Sequence, residues 1–409
     1  MTRSRILVFL PLPPYPLRAT GLSVRYLPII SDLATRHDVH LALLDGPAVN
    51  HAVIEGLRPV CARLDVVEDP RLGARSVLRR ASSAFGALLP WTLPDAFTIA
   101  GGSRITEQLR AVSGGRPYDV VLAAGSVGAP YLRGIPTGRF VIDFIDSPYV
   151  THKRRVHGDA ISFPRWAYEL WKIKRWEGRM IRESDAAIYI SSVDASAVRD
   201  SRTPADRQHV VPNGLSVEGY SARVEEGIRS PSIGFLGNMS YPPNVEAVRW
   251  LFERVFRPLR TSLPGLSMIV IGREPDPSIR ALAAEPGIVV TGDVPEIWPY
   301  VNAVDVLALP LLRGAGLKNK LIEALYARRA VVTTSLGAEG VGAESGRDLE
   351  VRDDETGFRE AVSGLIQDAE KRRRMGDAGR AHVERAFAWP ELLTRFEAAL
   401  LGGRGHGAA

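Results

Sequence analysis

The amino-acid sequence predicts an α/β protein of two doubly wound domains, each a parallel sheet with helices on both faces. Three observations carry this. Short apolar runs of the buried-strand type alternate with stretches of helical periodicity. The alternation starts afresh at Ser232, after a segment rich in Pro, Gly, Ser and charged residues. The 409 residues, at about 150 per domain, leave room for two such domains whose cores need no staples. Strand–helix alternation implies right-handed crossovers, hence parallel pairing.

The elements follow in order. Ile6-Leu7-Val8-Phe9-Leu10 is apolar throughout, as in a strand buried on both faces. Residues 21–36 place Leu22, Tyr26, Ile29, Ile30 and Leu33 at helical spacing. Further strands of the first domain are expected at 39–44, 119–123, 140–144 and 186–190. The second domain opens with a strand at 232–236 and a helix over 244–261. Strands at 267–271, 288–290, 304–309 and 330–333 continue it, with helices near 295–302 and 317–328. Helical patterns at 354–367, 368–387 and 390–401 close the chain.

The boundaries read as a domain over 1–204, an interdomain linker over 205–231 and a domain over 232–387. A terminal helix over 388–401 and a Gly-rich, disordered tail over 402–409 complete the division. Ligands of doubly wound domains bind at the carboxyl ends of the strands. Two such domains facing each other place the expected site in a central cleft.

Composition excludes several classes. Hydrophobic content of 45% and charged content of 24% are those of an ordinary globular chain, not a disordered or collagenous one. Cys61 is the only cysteine, which rules out an internal disulfide and a Cys-rich metal site. The run at 6–10 is too short for a secretory h-region, and no stretch approaches about 18 apolar residues. The expectation is a cytoplasmic protein, with room for peripheral contact at the inner membrane face. The formal charge is +6, and the basic excess lies wholly in the first 204 residues. Between Asp69 and Asp95 no acidic residue occurs, while Arg71, Arg75, Arg79 and Arg80 alternate with apolar side chains. From Lys153 to Arg182, basic residues accompany Trp166, Tyr168, Trp171 and Trp176. Both stretches fit either a membrane-facing surface or helices packed on the domain. No nucleic-acid-binding motif is present.

Leu309 to Leu325 is the most informative segment. A buried strand ends at Leu309, a Gly314-x-Gly316 loop follows, and a helix begins. Free backbone N–H groups and the positive dipole end suit a phosphate there. Lys318 and Lys320 stand in the first turn, where the dipole disfavours cations and a bound anion offsets that cost. Glu323, one turn deeper on the same face, suits a ribose diol; a solvated loop with a Lys–Glu pair is the bland alternative. Arg outnumbers Lys by 46 to 6, so two lysines in one loop stand out. The loop Gly237-Asn238-Met239-Ser240-Tyr241-Pro242-Pro243-Asn244 follows the second domain's first strand, and Gly237 permits close backbone approach. Asn244 reads as an N-cap. A third loop, Gly292-Asp293-Val294-Pro295-Glu296, follows the strand at 288–290, and its backbone can meet a base edge; capping is the bland alternative for both loops. In the first domain, the loop from Pro11 to Gly21 lacks G-x-G-x-x-G, against a dinucleotide oxidoreductase. Gly21 would open a helix at the cleft. Asp143 and Asp146 either orient sugar hydroxyls or cap their strand end.

These motifs resemble a family. Gly314-x-Gly316-x-Lys318-x-Lys320-x-x-Glu323-Ala324-Leu325, followed by Val331-Val332-Thr333-Thr334, resembles the signature of retaining family 4 glycosyltransferases. Val211-Pro212-Asn213-Gly214 resembles their hinge, and Arg36-His37-Asp38-Val39 the segment before their second strand. Phe235 to Val248 is similar to the exosortase-associated sugar transferase subgroup. The resemblance implies a GT-B fold, with the acceptor bound mainly by the first Rossmann-like domain and a nucleotide-diphosphate sugar by the second. The final helix would return to the first domain. Glu323 would hold the ribose and Lys320 the diphosphate, helped by the backbone amides of Gly316 and Leu317. Asp293 and Val294 would meet the base.

Two departures affect this carry-over. Ala315 stands where the family often has a first Glu, and the loop 238–244 lacks the usual Arg and Lys. Lys318, Lys320 and Arg313 are then left to carry the diphosphate charge, with Asp146 or backbone on the sugar. No metal or resident cofactor is implied. The expected activity is transfer to a hydroxyl acceptor, lipid-linked glycan or small aglycone, in polysaccharide, glycolipid or natural-product biosynthesis. A GT-B nucleotide-sugar epimerase and a degenerate transferase acting as a partner subunit are the alternatives.

Overall fold

A computed structural model describes residues 3–16, 21–69, 93–94, 103–154, 163–199, 204–215, 220–314 and 316–403. The chain divides into two compact units, Met1–Asn213 with Trp389–Ala409, and Gly214–Ala388. Of the basic stretch between Asp69 and Asp95, residues 70–92 lie outside the described residues, as do Ala315 and 404–409.

Among the described residues, the first unit holds seven strands: β1 (Arg5–Leu10), β2 (Asp38–Leu44), β3 (Arg63–Val67), β4 (Val120–Ala124), β5 (Phe140–Ile145), β6 (Ala186–Tyr189) and β7 (Gln208–Val210). Their order is β3-β2-β1-β4-β5-β6-β7. Every pairing is parallel, and the winding reverses between β1 and β4. β1 is central, which explains its continuous apolar run. Ile6, Val8 and Leu10 feed the core on one face, Leu7 and Phe9 the core on the other. The helix Trp389–Leu401 packs Leu392, Phe396 and Leu400 onto the first of these faces, beside Tyr26, Ile29 and Leu33 of the helix Gly21–Arg36. Glu397 fastens it, accepting from Arg36 at 2.8 Å and meeting His37 at 2.7 Å.

The second unit holds β8 (Ser232–Leu236), β9 (Ser267–Ile271), β10 (Ile288–Val290), β11 (Val306–Leu309), β12 (Ala330–Thr333) and β13 (Glu350–Val351). The order is β10-β9-β8-β11-β12-β13, again parallel. This is the doubly wound order of a dinucleotide-type fold, with its switch point between β8 and β11.

Three strands escape the sequence reading. β3 is half-exposed and carries Arg63 and Asp65; β13 has two residues; β7 falls inside the stretch read as a linker. All three are edge strands, and an edge needs no apolar run. The helix expected over 244–261 is a path of three pieces, Pro242–Leu251, a π turn at Phe252–Phe256, and Arg257–Ser262. Pro258 accounts for the π turn, because it lacks an N–H and its ring clashes with the carbonyl four residues back. Among the described residues, no helix is long and apolar enough to cross a membrane.

Candidate active site

In the second unit, the loops leaving β8, β9, β10 and β11 meet at the carboxyl edge of the sheet. Backbone bonds tie them together. Gly237 N–H donates to Ile271 (3.0 Å), and Met239 N–H donates to Arg273 (2.9 Å). Gly272 and Gly292 form an isolated bridge. The packing leaves no room for side chains. A Cβ on Gly272 would stand 1.7 Å from the Gly237 carbonyl oxygen, and one on Gly237 would stand 3.0 Å from Lys320 Nζ. Glu274, exposed, braces the rim with φ +53°, a conformation that L residues adopt at a cost. Its carboxylate accepts from Ser240 Oγ (2.8 Å) and Asn238 Nδ2 (3.3 Å), which keeps its pKa below the usual range. Its N–H donates to Asp293 Oδ1 at 3.2 Å. Asn238 and Asp293 are thereby linked through a residue that the sequence reading missed.

Lys320 is the chemical centre of this rim. The helix Asn319–Tyr326 carries it in its first turn, and no side chain caps that helix at Lys318. The ammonium donates to Asn244 Oδ1 and lies 5.0 Å over the Phe235 ring. Burial, reinforced by the neighbouring charge of Lys318 and opposed by Glu323, pushes the Lys320 pKa down to about 7. Lys318 is buried and donates to the Gly316 carbonyl. Asn244 is not the N-cap that the sequence suggested. Tyr241 takes that position, and the buried Asn244 joins Lys320 to the Asn238 carbonyl, 2.7 Å from Asn244 Nδ2. The cause is Pro242-Pro243, which starts the helix earlier by supplying preset φ and needing no N–H partner.

The other predicted residues fall as follows. Gly316 has φ +72° and Leu317 is buried, so this segment presents backbone. Glu323 is half-buried one turn below Lys320. Arg313 is exposed and pairs with Glu246 at 3.2 Å, a surface contact worth little. Gly292 and Asp293 line a cavity of about 310 Å³ with Pro275, Arg280, Ala283 and Val290; Val294 follows, half-buried.

In the first unit the structure corrects one assignment. Asp143 is fully buried, and its carboxylate is already taken. Oδ2 accepts from Arg25 Nε at 2.6 Å and from Tyr26 Oη at 2.7 Å, while Oδ1 accepts from the Ile145 N–H at 3.1 Å. No sugar hydroxyl reaches it. Arg25 also donates to the Val211 carbonyl (3.0 Å) and Asn213 Oδ1 (3.1 Å), so the Val211-Pro212-Asn213 segment is anchored by this pair. The signal for Arg25 was present in the sequence: it sits beside Tyr26 in a helix that buries this side, and a buried cation requires an acid.

Asp146 stands differently. It is half-buried at the end of β5, just after a register irregularity and after Ile145 at φ +67°. A β-branched residue there is strained, and such strain gathers at functional positions. Beneath this turn lies Glu177, also missed. It accepts from Ser147 Oγ, Tyr149 N–H and Tyr189 Oη, each at 3.0 Å, and burial pushes its pKa up to about 8. Gly21, exposed, is the first residue of its helix. Among the described residues, no group of three His, Cys, Asp or Glu stands together as a metal site.

Residues 230–368 match the family model described as glycosyl transferases group 1. An uncharacterized 44.6 kDa protein in the cps region of Klebsiella pneumoniae is 21% identical over 341 residues, covering 80% of this chain and 82% of that one. An MMP alpha-(1->4)-mannosyltransferase of Mycolicibacterium hassiacum is 25% identical over 362 residues, covering 81% and 82%. The solved structure of Anabaena HepE in complex with UDP and glucose superposes with a TM-score of 0.64 at 15% identity, covering 97% of this chain and 99% of that one. Likeness at that identity is a likeness of fold. The stretch 230–368 is thus similar to group 1 glycosyl transferases, in a chain whose fold is of the GT-B type.

Proposed function

We propose that the protein is a retaining glycosyltransferase that moves a sugar from a nucleotide-diphosphate donor to a hydroxyl acceptor. One observation carries the reading: a lysine with a depressed pKa at an uncapped helix start, where the β8 and β11 loops converge. A desolvated ammonium without a carboxylate ligand is costly, and a diphosphate would relieve that cost. In this reading Lys320, Lys318 and the helix N–H groups stabilise the charge that develops on the departing phosphate. Glu323 takes the ribose hydroxyls, and the Gly292–Asp293 cavity takes the base. The acceptor hydroxyl attacks on the face that the leaving group vacates, and the departing phosphate accepts its proton. Asp146 is the first-unit carboxylate that orients the sugar or the acceptor. The reading assigns no metal ion. HepE, solved with UDP and glucose, and the mannosyltransferase relative support it by analogy.

Thermal denaturation against a panel of nucleoside diphosphates and their sugars tests this. One base is expected to stabilise the protein selectively, by about 2.7 kcal/mol at a hundredfold excess over Kd. Absence of any shift, together with absence of sugar transfer from the whole panel, would overturn the reading.

The Lys320 pKa supplies a second check. Free Lys320 is about nine-tenths neutral at pH 8 and about nine-tenths charged at pH 6, given a pKa of about 7. A bound diphosphate favours the charged form. Binding is therefore expected to take up close to one proton at pH 8 and about a tenth of one at pH 6. Affinity should fall as pH rises above about 7. Titration calorimetry in buffers of different ionisation enthalpy measures this directly. Equal proton uptake at both pH values would remove Lys320 from the diphosphate site.

A further inference from the structure

The turn that carries Asp146 is gripped on both sides. Before it, the Ile145 N–H donates to Asp143 Oδ1 at 3.1 Å, and the Ile145 carbonyl accepts from the Ile190 N–H at 2.8 Å. After it, Ser147 is shared between two buried acids, Asp194 and Glu177. Its N–H donates to Asp194 Oδ1 at 2.9 Å, and its hydroxyl donates to Glu177 Oε2 at 3.0 Å. The same hydroxyl accepts from the Val150 N–H at 3.3 Å, so its proton is committed to Glu177. Ser147 thereby caps the helix Pro148–Arg154, with Pro148 in the first helical position. Glu177 Oε2 also accepts from the Tyr149 N–H at 3.0 Å. One oxygen of Glu177 therefore fixes the start of the helix that Asp146 leads into.

Glu177 stands 30 positions from Ser147 along the chain, on the helix Phe163–Glu183, and is fully buried. Aromatic rings pack this region: Phe144 stacks on Tyr189 at 5.2 Å and meets Trp176 edge-on at 6.0 Å. Among the described residues, no Lys, Arg or His pairs with Glu177; its partners are Ser147, Tyr149 and Tyr189. Asp194 and Tyr189 are the titratable groups that act on it. Burial, reinforced by Asp194 and opposed by the three hydrogen bonds, pushes its pKa up to about 8. At pH 7 it is then about nine-tenths neutral. The proton belongs on Oε1, toward Tyr189 Oη at 3.0 Å, because both donors on Oε2 are committed. Oε2 stays a double acceptor, so an amide can reproduce the arrangement.

We propose that Glu177 is a positioning residue for sugar transfer: through Ser147 and Tyr149 it fixes the turn after Ile145 and so the place of the Asp146 carboxylate. The inference rests on the glycosyltransferase reading, in which Asp146 orients the sugar or the acceptor. It separates the residue that meets substrate from the one that holds it in place. Ile145, at φ +67°, gives the reason for a clamp. A β-branched residue keeps that conformation only where its surroundings over-determine it. Released, the carboxylate would shift by about 1 Å, enough to cost about 10²-fold in rate.

Steady-state kinetics, nucleotide binding and thermal melts of three variants test this. Glu177→Leu leaves three donors without their acceptor, and kcat should fall about 10²-fold. Nucleotide Kd should stay at the parent value, since the reading places the nucleotide on second-unit residues. Glu177→Gln keeps a carbonyl oxygen on Ser147 and Tyr149 and should restore most of the turnover at pH 7. Ser147→Ala cuts the same link from the other side and should lower kcat about tenfold, the equivalent of one hydrogen bond. It carries the test where the leucine variant fails to fold. Parent-like kcat in Ser147→Ala and Glu177→Leu would overturn the inference. So would a glutamine variant as slow as the leucine one, because charge and not hydrogen bonding would then matter. Nucleotide binding lost in step with kcat would show a purely structural role and sink it as well. A parent protein that transfers no sugar from any donor overturns the glycosyltransferase reading and this inference together; transfer by the parent with unchanged variants overturns the inference alone.

Discussion

Lys320→Met should lower turnover by about 10²–10³-fold, the scale on which a preorganised charge stabilises a developing oxyanion. The loss should fall on kcat more than on KM if Lys320 acts on the departing phosphate. The same substitution should leave the fold intact or raise its melting temperature. Lys320 is desolvated over Phe235 with Asn244 as its partner, and its pKa is depressed to about 7. Between that value and the ordinary lysine value, the unfolded chain binds a proton that the folded one does not, so this residue's cost is greatest at low pH and shrinks as pH rises. Methionine removes the cost, and a functional residue held at a cost is expected to show this opposition between activity and stability. A transfer assay run beside a thermal melt decides the point. Turnover within tenfold of the parent would place the chemistry elsewhere.

Asp143→Ala should destabilise the first unit by about 3–5 kcal/mol, because it strands a buried guanidinium. Arg25 and Asp143 are both fully buried and 2.6 Å apart, and Tyr26 and Ile145 lose their acceptor as well. For a unit of this size, the melting temperature should fall by about 6–20 °C. The double variant Arg25→Met with Asp143→Leu should recover much of the loss, since apolar replacements remove both desolvation costs at once. Differential scanning calorimetry of the parent and the three variants gives the answer. Equal stability of Asp143→Ala and the parent would show the pair to be dispensable.

The sequence and the structure divide the labour in an instructive way. β1 and β8 are central strands, so their side chains are apolar on both faces and legible as runs. β3, β7 and β13 sit at or near sheet edges, where a strand is defined by hydrogen bonds to its neighbour and not by its own side chains. The site residues split similarly. Lys318, Lys320 and Glu323 are read together because one loop and one helical turn hold them. Glu274 and Asn244 lie 46 and 76 positions from Lys320 along the chain, and only the meeting of three strand ends reveals their role. Asp143 and Asp146 look equivalent in sequence. The irregularity at Ile145 turns one into the core, onto Arg25, and leaves the other at the rim.

By itself, then, the sequence determines two doubly wound parallel sheets and a lysine-bearing helix start, because apolar periodicity and Gly-x-Gly punctuation are local signals. Tertiary structure decides which carboxylate is buried against Arg25 and which lysine is desolvated. Those outcomes depend on burial and on partners remote in the chain. Burial is a property of the packed molecule, and no window along the sequence contains it.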